Sequence, residues 1–321
     1  MKKTYITTSI AYVNAPPHIG HLLELVSADI LARYRKSLGE EVFFVTGTDE
    51  HGSKIAQAAE AAGQEPQKYA DEISKKFAKL GKDFEIEFDY FIRTTDPKHK
   101  KYAQERWKQL EKAGALVKRK YKGHYCVGCE AFKTDREIAD GKCLIHEKEL
   151  EVIEEENWFF KLSDYKEKIL EWLMSEKPVY PESRLNEIIN VVKELEDISF
   201  SRPKEKLIWG VPVPGDSDQT MYVWADALWN YLSVFELAGK DSQEYWPADY
   251  QIIGKDILKF HGAIWPGLLL ACGYELPKKL LVHGFVNVDG KKMSKSLGNV
   301  IAPKDLLDKY GAEATRYLIF R

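Results

Sequence analysis

The sequence has no apolar run long enough to cross a membrane. Its longest such stretches, for example Leu268 to Cys272, fall far short of the ~20 residues that a spanning helix needs. The opening MKKTYITTS turns polar before an apolar segment of signal-peptide length can form. We therefore expect a cytoplasmic protein without a membrane partner.

An excess of charge of one sign is also missing, because 47 lysine and arginine residues stand against 50 aspartate and glutamate residues. This balance argues against a protein that coats nucleic acid, although a local basic patch is enough to bind an RNA. The sequence contains neither internal repeats nor low-complexity segments. With 44% apolar and 30% charged residues it is typical of a soluble globular chain, and 321 residues suggest about two domains.

Cysteine is scarce, but three of the four cysteines lie close together in the sequence. Cys126-x-x-Cys129 is followed, 13 residues later, by Cys143-x-x-His146. In a reducing compartment such clustering indicates a metal site rather than disulfides. Three thiolates and one imidazole can surround one tetrahedral ion, and a site closed in this way is structural. We predict one structural Zn²⁺, whereas two free-thiol pairs and a surface histidine are the alternative.

Strand-like and helix-like segments alternate in the first and last parts of the chain. Strands are predicted at residues 4–9, 41–45, 87–92, 250–253 and 280–286, with helical segments between them. This order predicts a parallel sheet with crossover helices. Residues 115–160 break the pattern, and residues 163–200 read as charged helices. We therefore expect residues 115–218 to be an insertion that splits one α/β domain.

Two histidines flank a glycine where the first predicted strand leads into a helix. His18, Gly20 and His21 would lie at the helix N-terminus, where unpaired N–H groups favour an anion. The histidines would add donors, and the glycine would let a ligand approach the backbone. A plain turn with two surface histidines is the alternative.

A lysine-rich segment, KMSKS at residues 292–296, follows Asp289-Gly290, a pair typical of hairpin turns. The hairpin would present Lys292 and Lys295 on an exposed loop. Such a loop can bring cations to the charge that develops as pyrophosphate leaves. A solvated basic loop is the alternative.

Together, HIGH at residues 18–21 and KMSKS at residues 292–296 resemble the two signatures of class I aminoacyl-tRNA synthetases. The resemblance spans essentially the whole chain, and further segments are similar to the methionyl-tRNA synthetases in particular. These segments are AYVNAPPHIGH (11–21), GTDEHG (47–52), MYVWADAL (221–228), IIGKDILKFH (252–261) with Trp265, and HGFVNVDGKKMSKSLGN (283–299).

This resemblance implies a Rossmann-like, doubly wound parallel sheet, the class I synthetase catalytic fold, split by a zinc-containing connective insertion. The expected organisation is a first catalytic half at 1–114, the insertion at 115–218 with a zinc knuckle at about 126–146, a second catalytic half at 219–290, and the KMSKS loop with the start of a stem-contact region at 291–321. The insertion would position the acceptor end of tRNA. Lys118, Arg119, Lys120 and Lys122 beside it would either meet phosphates or form a solvated strand.

The resemblance further implies that L-methionine and ATP with Mg²⁺ form methionyl-adenylate, which then reacts with methionine tRNA. No protein nucleophile is needed, so catalysis would be positioning and charge stabilisation. His18 and His21 would donate to the phosphates, and Gly20 would make room for the adenine. Lys292 and Lys295 would stabilise the β- and γ-phosphates, with Lys295 acting in the transition state. Asp256 would lie near the ribose.

For methionine, the resemblance implies an ammonium anchor at Asp49 and backbone contacts near Ser9 and Ile10. Its side chain would enter a largely aromatic pocket, in which a hydrogen bond from Tyr231 or His261 to sulfur would reject apolar isosteres. Leu228 stands where some members of the family have proline. The expected pocket residues are Tyr12, Trp224, Ala227, Leu228, Tyr231, Ile257, His261 and Trp265.

Three alternatives remain at this point: a class I synthetase for another amino acid, a small-molecule nucleotidyltransferase with a similar histidine turn, and a catalytically silent, zinc-containing RNA-binding relative. Because the sequence ends at Arg321 without the anticodon-reading helical domain of the family, we expect adenylation with weak tRNA charging. A monomer is expected, since this sequence lacks the C-terminal appendage through which some relatives dimerise.

Overall fold

The structure is a computed structural model that describes residues 1–128, 131–133, 137–145, 147–288, 291–293 and 300–321. At Ala131, Val288, Lys291 and Lys292 it describes the backbone and not the side chain. Its strands are β1 (Lys3–Thr8), β2 (Ala11–Tyr12), β3 (Glu41–Asp49), β4 (Tyr90–Arg93), β5 (Leu116–Cys126), β6 (Ala131–Lys133), β7 (Ile138–Ala139), β8 (Lys142–Cys143), β9 (Glu151–Phe160), β10 (Val179–Tyr180), β11 (Ile198–Ser199), β12 (Ser201–Pro203), β13 (Pro212–Val213), β14 (Asp216–Met221), β15 (Tyr250–Gly254), β16 (Leu280–His283), β17 (Asn287–Val288) and β18 (Lys291–Lys292).

Helices fill most of the intervals between these strands. The α-helices are α1 (Ile19–Ser37), α2 (Ser53–Ala61), α3 (Pro66–Asp83), α4 (Pro97–Lys112), α5 (Lys166–Ser175), α6 (Glu182–Lys193), α7 (Val223–Ala227), α8 (Asn230–Ala238), α9 (Ser242–Tyr245), α10 (Trp265–Ala271) and α11 (Pro303–Phe320). Leu162–Tyr165 and Lys255–Ile257 form 3-10 turns, and Phe260–Ile264 forms a π-helix that leads into α10. Among the described residues, no helix has the length and apolar character needed to cross a bilayer.

Seven strands of the described chain form one parallel sheet. β1 lies near its centre, with β3 on one side and β15 on the other. Beyond β3 comes β4, and beyond β15 come β16 and β10, while β2 continues beside the last residues of β3. The sheet confirms the predicted α/β fold. The chain thus reverses its direction of winding between β1 and β15, and the crevice at the carboxyl ends of such strands is where open α/β sheets bind ligands.

Both faces of the sheet are covered, because its central strands alternate between two apolar cores. Tyr5 of β1 and Phe43 of β3 pack in one core with α4 and α8. Their neighbours Ile6 and Phe44 point to the opposite face and pack against α1. This period of two along each strand, with helices on both sides, fixes which loops meet at the carboxyl edge.

The prediction of helices throughout residues 163–200 is correct for α5 and α6 and wrong at two short strands. Val179–Tyr180 forms β10, which pairs with β16 and so extends the main sheet from within the predicted insertion. Ile198–Ser199 forms β11 beside β9. Val179 is 1% exposed, and its burial against the core explains why a two-residue strand forms between two charged helices. The predicted strand at 87–92 is displaced to Tyr90–Arg93, and the one at 280–286 ends at His283.

Within residues 115–160, β5 and β9 form a long antiparallel ribbon. Lys120 and Lys122 stand directly opposite Glu156 and Glu154, so opposite charges alternate across the ribbon. Lys118 forms an ion pair with Asp216 at 2.7 Å, and Arg119 lies over the Phe159 ring, 4.2 Å from its centroid. These contacts favour a paired, solvated strand over a surface that recognises phosphate.

Candidate active site

The N-terminus of α1 is capped by the two histidines that the sequence singled out. The backbone N–H of Gly20 donates to His18 Nδ1 at 3.1 Å, and the backbone N–H of His18 donates to His21 Nδ1 at 3.1 Å. Because both Nδ1 atoms accept, each neutral ring carries its hydrogen on Nε2. The rings stack with centroids 3.9 Å apart, so capping fixes the orientation of two neighbouring imidazole rings. A Cβ at Gly20 would come within 2.9 Å of the His18 ring, which gives this glycine a structural role as well.

The chain that follows the lysine loop returns to this same helix end. The backbone N–H of Ile19, the first residue of α1, donates to the carbonyl of Ile301 at 3.2 Å. The strands that flank Asp289 and Gly290, β17 and β18, pair antiparallel as a hairpin requires. Asp289, Gly290 and Lys295 lie outside the described residues, as does the side chain of Lys292. The histidine helix and the chain that follows the lysine loop are therefore neighbours.

A buried carboxylate at this edge was missed by the sequence analysis. Glu24, one turn beyond His21 on α1, accepts from the backbone N–H of Ser9 at 2.7 Å and from Ser9 Oγ at 2.5 Å. It also accepts from His283 Nε2 at 3.0 Å, which joins the ends of β1 and β16. Burial opposes the charge on His283, but this hydrogen bond and the attraction of Glu24 outweigh it and raise the His283 pKa. Ser9 and Ile10 are half-buried beside this contact.

The predicted methionine pocket assembles around a fully buried tyrosine–histidine pair. Tyr231 Oη lies 2.7 Å from His261 Nε2, and His261 Nδ1 lies 3.0 Å from the carbonyl of Ile257. The carbonyl requires the histidine hydrogen on Nδ1, so Tyr231 donates to Nε2. To donate to a sulfur atom, the Tyr231 hydroxyl would have to turn away from His261. The predicted sulfur hydrogen bond stays a prediction.

Aromatic rings surround this pair. Trp224 is half-buried and stacks on Phe260 with centroids 3.9 Å apart, and its edge faces His261. Trp265 is fully buried and packs against Tyr231 at 5.7 Å. Ala227 and Leu228 are each 1% exposed. The structure therefore brings Trp224, Tyr231, His261 and Trp265 together, with the carbonyl of Ile257 bound to His261.

His261 makes stability depend on pH in a defined window. Burial lowers its pKa from 6.5 to about 4. The unfolded chain then binds a proton that the folded protein does not, so stability is lost as pH falls from 6.5 toward 4. Between pH 7 and pH 5 we expect His261 to reduce the free energy of unfolding by about 2 kcal/mol. Urea denaturation of the wild type and His261→Gln at both pH values checks this. Equal pH dependence in the two proteins would contradict it.

Asp49 ends β3 on the opposite side of the crevice and is 5% exposed. Its backbone carbonyl accepts from the N–H of Val13 at 3.1 Å, which holds it beside β2 and Tyr12. Gly52 has a φ of +119°, and a Cβ there would meet the Tyr12 hydroxyl at 2.2 Å. Glycine is thus required at this turn, and the GTDEHG segment is shaped to the tyrosine that covers it.

The remaining predicted ligands are described only in part. Cys126 at the end of β5 and Cys143 in β8 are each 1% exposed, whereas Cys129 and His146 lie outside the described residues. Within the described ranges, no group of three His, Cys, Asp or Glu side chains is arranged to hold a metal ion. Asp256 is exposed in the 3-10 turn that follows β15, at the same sheet edge as Asp49.

Comparison with known proteins identifies the family. A family model described as class I (M) tRNA synthetases matches residues 4–145 and 137–321. The methionine–tRNA ligase of Thermotoga maritima is 44% identical over 99% of this chain and 52% of its own length. That of Campylobacter jejuni is 43% identical over 99% of this chain and 51% of its own length. The chain thus spans about half the length of these curated relatives.

Comparison with solved structures identifies the same family. Mycobacterium tuberculosis methionyl-tRNA synthetase in complex with methionyl-adenylate is 41% identical, with a TM-score of 0.94 over 100% of this chain and 64% of that protein. The apo form of the same enzyme gives 36% identity and a TM-score of 0.82, over 100% of this chain and 62% of that one. This chain therefore belongs to the class I (M) tRNA synthetases, the family of the methionyl-tRNA synthetases.

Proposed function

We propose that this chain activates L-methionine with ATP, as the catalytic part of a methionine–tRNA ligase. The observation that carries the proposal is the convergence of four strand ends at one edge of the sheet. β3 ends at Asp49 and β16 at His283, while Ser9 directly follows β1 and Asp256 comes two residues after β15. The capped histidines of α1 lie at the same edge. The structural relative with the TM-score of 0.94 holds methionyl-adenylate, the product of this reaction.

In the proposed first step, a methionine carboxylate oxygen attacks the α-phosphorus of ATP. The bond to the α–β bridging oxygen breaks, and pyrophosphate leaves with that electron pair. The Nε2–H groups of His18 and His21 are already oriented by their caps, so they can donate to the charged phosphates without reorganisation. Lys292 and Lys295 would add positive charge from the predicted lysine loop, after which Ile301 lies beside α1. Mg²⁺ bound to ATP would neutralise part of the phosphate charge.

Methionine itself would bind across the crevice. Asp49 would hold the ammonium group, and the backbone near Ser9 and Ile10 would hold the rest of the amino-acid end. The thioether would contact the pocket around Tyr231 and His261, where aromatic–sulfur contacts contribute ~0.3–1.5 kcal/mol each. The full pocket would comprise Tyr12, Trp224, Ala227, Leu228, Tyr231, Ile257, His261 and Trp265.

In the second step, a ribose hydroxyl at the 3′ end of methionine tRNA would attack the acyl carbonyl and release AMP. The insertion is suited to position that acceptor end, because it contacts both catalytic halves. Lys54 of α2 donates to the carbonyl of Gly128 at 2.5 Å, and Lys259 forms an ion pair with Glu137 at 3.8 Å. We propose that residues 115–218 act as this connective insertion.

Amino-acid-dependent ATP–pyrophosphate exchange with all twenty amino acids, without tRNA, tests the proposal. Methionine alone should support exchange. Exchange with another amino acid would overturn the pocket assignment and favour a different class I synthetase. A folded, zinc-loaded protein that exchanges with none would favour the silent RNA-binding alternative.

We also propose that Cys126, Cys129, Cys143 and His146 hold one structural Zn²⁺. Cys126 and Cys143 fit, since both are buried in a segment with little apolar core of its own. Metal analysis should find about one equivalent of zinc per chain, lost in Cys126→Ala or Cys143→Ala. Cys272→Ala, which removes a thiol outside this segment, should keep the metal. If the wild type purified without chelator contained no metal, the proposed zinc site would be refuted.

A further inference from the structure

Asp226 is a buried carboxylate held between two histidines. It is 1% exposed, and its Oδ2 lies 2.6 Å from His51 Nδ1. Its Oδ1 lies 2.8 Å from His99 Nε2, and His99 Nδ1 lies 2.7 Å from Ser233 Oγ. None of these four side chains belongs to the set assigned to phosphates, methionine or metal above.

The hydrogen positions in this network follow from its two ends. An ionised carboxylate only accepts, so His51 donates from Nδ1 and His99 donates from Nε2. Neutral His99 then accepts the Ser233 hydroxyl hydrogen at Nδ1. Burial disfavours the Asp226 charge, but the nearby His51 and the two hydrogen bonds prevail and lower its pKa to about 2. With both histidines uncharged, the network therefore has one consistent arrangement of hydrogens.

The network joins the two catalytic halves that the insertion separates. His51 follows β3 and His99 lies in α4, both in the first half. Asp226 lies in α7 and Ser233 in α8, both in the second half. Each half thus contributes two members, and none of the hydrogen bonds passes through the insertion.

Both sides of this hydrogen-bond network adjoin the proposed methionine site. His51 comes two residues after Asp49, the proposed ammonium anchor. Asp226 directly precedes Ala227 and comes two residues after Trp224, in the proposed pocket wall. A shift of α7 against the turn after β3 would therefore change the distance between the anchor and the wall.

The turn that carries Asp49 and His51 is held firmly on its other sides. Glu50 is fully buried and accepts hydrogen bonds from Arg93 Nε at 2.7 Å and from Arg93 Nη2 at 2.8 Å. The N–H of Gly52 donates to the carbonyl of Trp209 at 2.9 Å. These contacts fix the turn to its surroundings, whereas Asp226 fixes the pocket wall to the turn.

We propose that Asp226 is a positioning residue for methionine binding, which uses His51 and His99 to set the spacing between Asp49 and the pocket formed by α7 and α8. The inference rests on the proposed function, because it assumes that methionine spans these two sides. It assigns Asp226 no contact with the substrate. Its effect should appear in the binding of the amino acid and spare the binding of ATP.

Asp226→Asn tests this with almost no change in volume. An amide offers one acceptor and one N–H₂ donor group, so it opposes a donor with a donor at one of the two histidines. We expect the KM for methionine in pyrophosphate exchange to rise at least about tenfold, since small misplacements of binding groups have large effects. The KM for ATP should stay within about threefold. Equal increases in both constants, or no increase in a folded variant, would overturn the proposal.

Asp249→Asn is the matched control. Asp249 is also a buried carboxylate, and it accepts from the N–H of Tyr5 and from Lys278, both at 2.9 Å. It directly precedes β15 and lies at the amino edge of the sheet, away from the crevice. Its replacement should lower stability and leave the methionine KM unchanged. A selective methionine defect in this control would show that any buried-carboxylate loss has this effect and would overturn the proposal.

A second pair keeps the inference testable if Asp226→Asn does not fold. His51→Asn retains an N–H donor near the position of Nδ1, whereas His51→Leu removes it. The leucine variant should raise the methionine KM at least about tenfold and the asparagine variant less than threefold. Equal methionine KM values in the two His51 variants would overturn the proposal.

Methionine binding to the wild type, measured by calorimetry without ATP, separates this inference from the proposed function. A wild type that does not bind methionine refutes the proposed function itself.

Discussion

Replacing His18 or His21 by asparagine is expected to slow methionine-dependent pyrophosphate exchange about 10²–10³-fold while the protein stays folded. In each ring, Nδ1 accepts a backbone N–H at the start of α1. Asparagine places its side-chain oxygen near that position and is itself a favoured N-cap residue. The substitution therefore retains the cap and removes the Nε2–H that would meet the phosphates. The measurement is the rate of pyrophosphate exchange at saturating methionine and ATP, compared between each variant and the wild type.

His124→Asn is a suitable control, since His124 is an exposed histidine of β5 that is distant in sequence from α1. Its exchange rate should match that of the wild type. Thermal unfolding should show that the α1 variants lose no more than ~1 kcal/mol of stability. If either folded α1 variant exchanged at the wild-type rate, the proposed donation to the phosphates would be wrong for that histidine.

Asp49→Asn is expected to raise the KM for methionine about 10²–10³-fold. The ammonium group would enter a site where Asp49 is 5% exposed, so losing the carboxylate leaves a desolvated cation without its counter-charge. Removing one partner of a buried, hydrogen-bonded charge pair costs about 2–5 kcal/mol. Steady-state exchange at varied methionine measures the change, and varied ATP should show a much smaller one.

Asp256→Asn provides the contrast, because Asp256 lies at the same sheet edge and is exposed. The family resemblance implies that it lies near the ribose, so its loss should act on the KM for ATP and leave that for methionine nearly unchanged. If Asp49→Asn raised both constants equally, Asp49 would be supporting the crevice rather than anchoring the amino acid.

Local patterns were enough to predict the parallel sheet and the helix that begins after His18. The short apolar stretches in β1 and β3 and the proline pair Pro16-Pro17 before α1 act over a few residues, so they are visible in the sequence. β10 could not be found in this way. Two residues have no period, and their strand exists only because β16, a hundred residues away in the sequence, pairs with them.

The same limit applies to the site. His18, His21 and the lysine loop stand in recognisable motifs, whereas Glu24 and Asp226 read as ordinary carboxylates on helices. Their importance comes from partners distant in the chain, His283 for Glu24 and His51 and His99 for Asp226. Asp226 and His51 do lie within the quoted segments MYVWADAL and GTDEHG, which was the available signal. The direction of the Tyr231–His261 hydrogen bond depends on the carbonyl of Ile257, which only the fold places there.

The central place of β1 has a consequence for how the protein is made. One edge of β1 pairs with β3. The other edge pairs with β15, where Thr8 is opposite Ile252, and cannot pair until β15 has been synthesised. At ~5–20 residues per second, ribosomes need roughly 10–50 s to synthesise the intervening chain. During that time a strand that is buried in the folded protein presents an unpaired edge, the feature that favours association with other chains. Such long-range pairing also slows folding. A nascent chain of this protein is therefore expected to depend on chaperones until β15 has emerged.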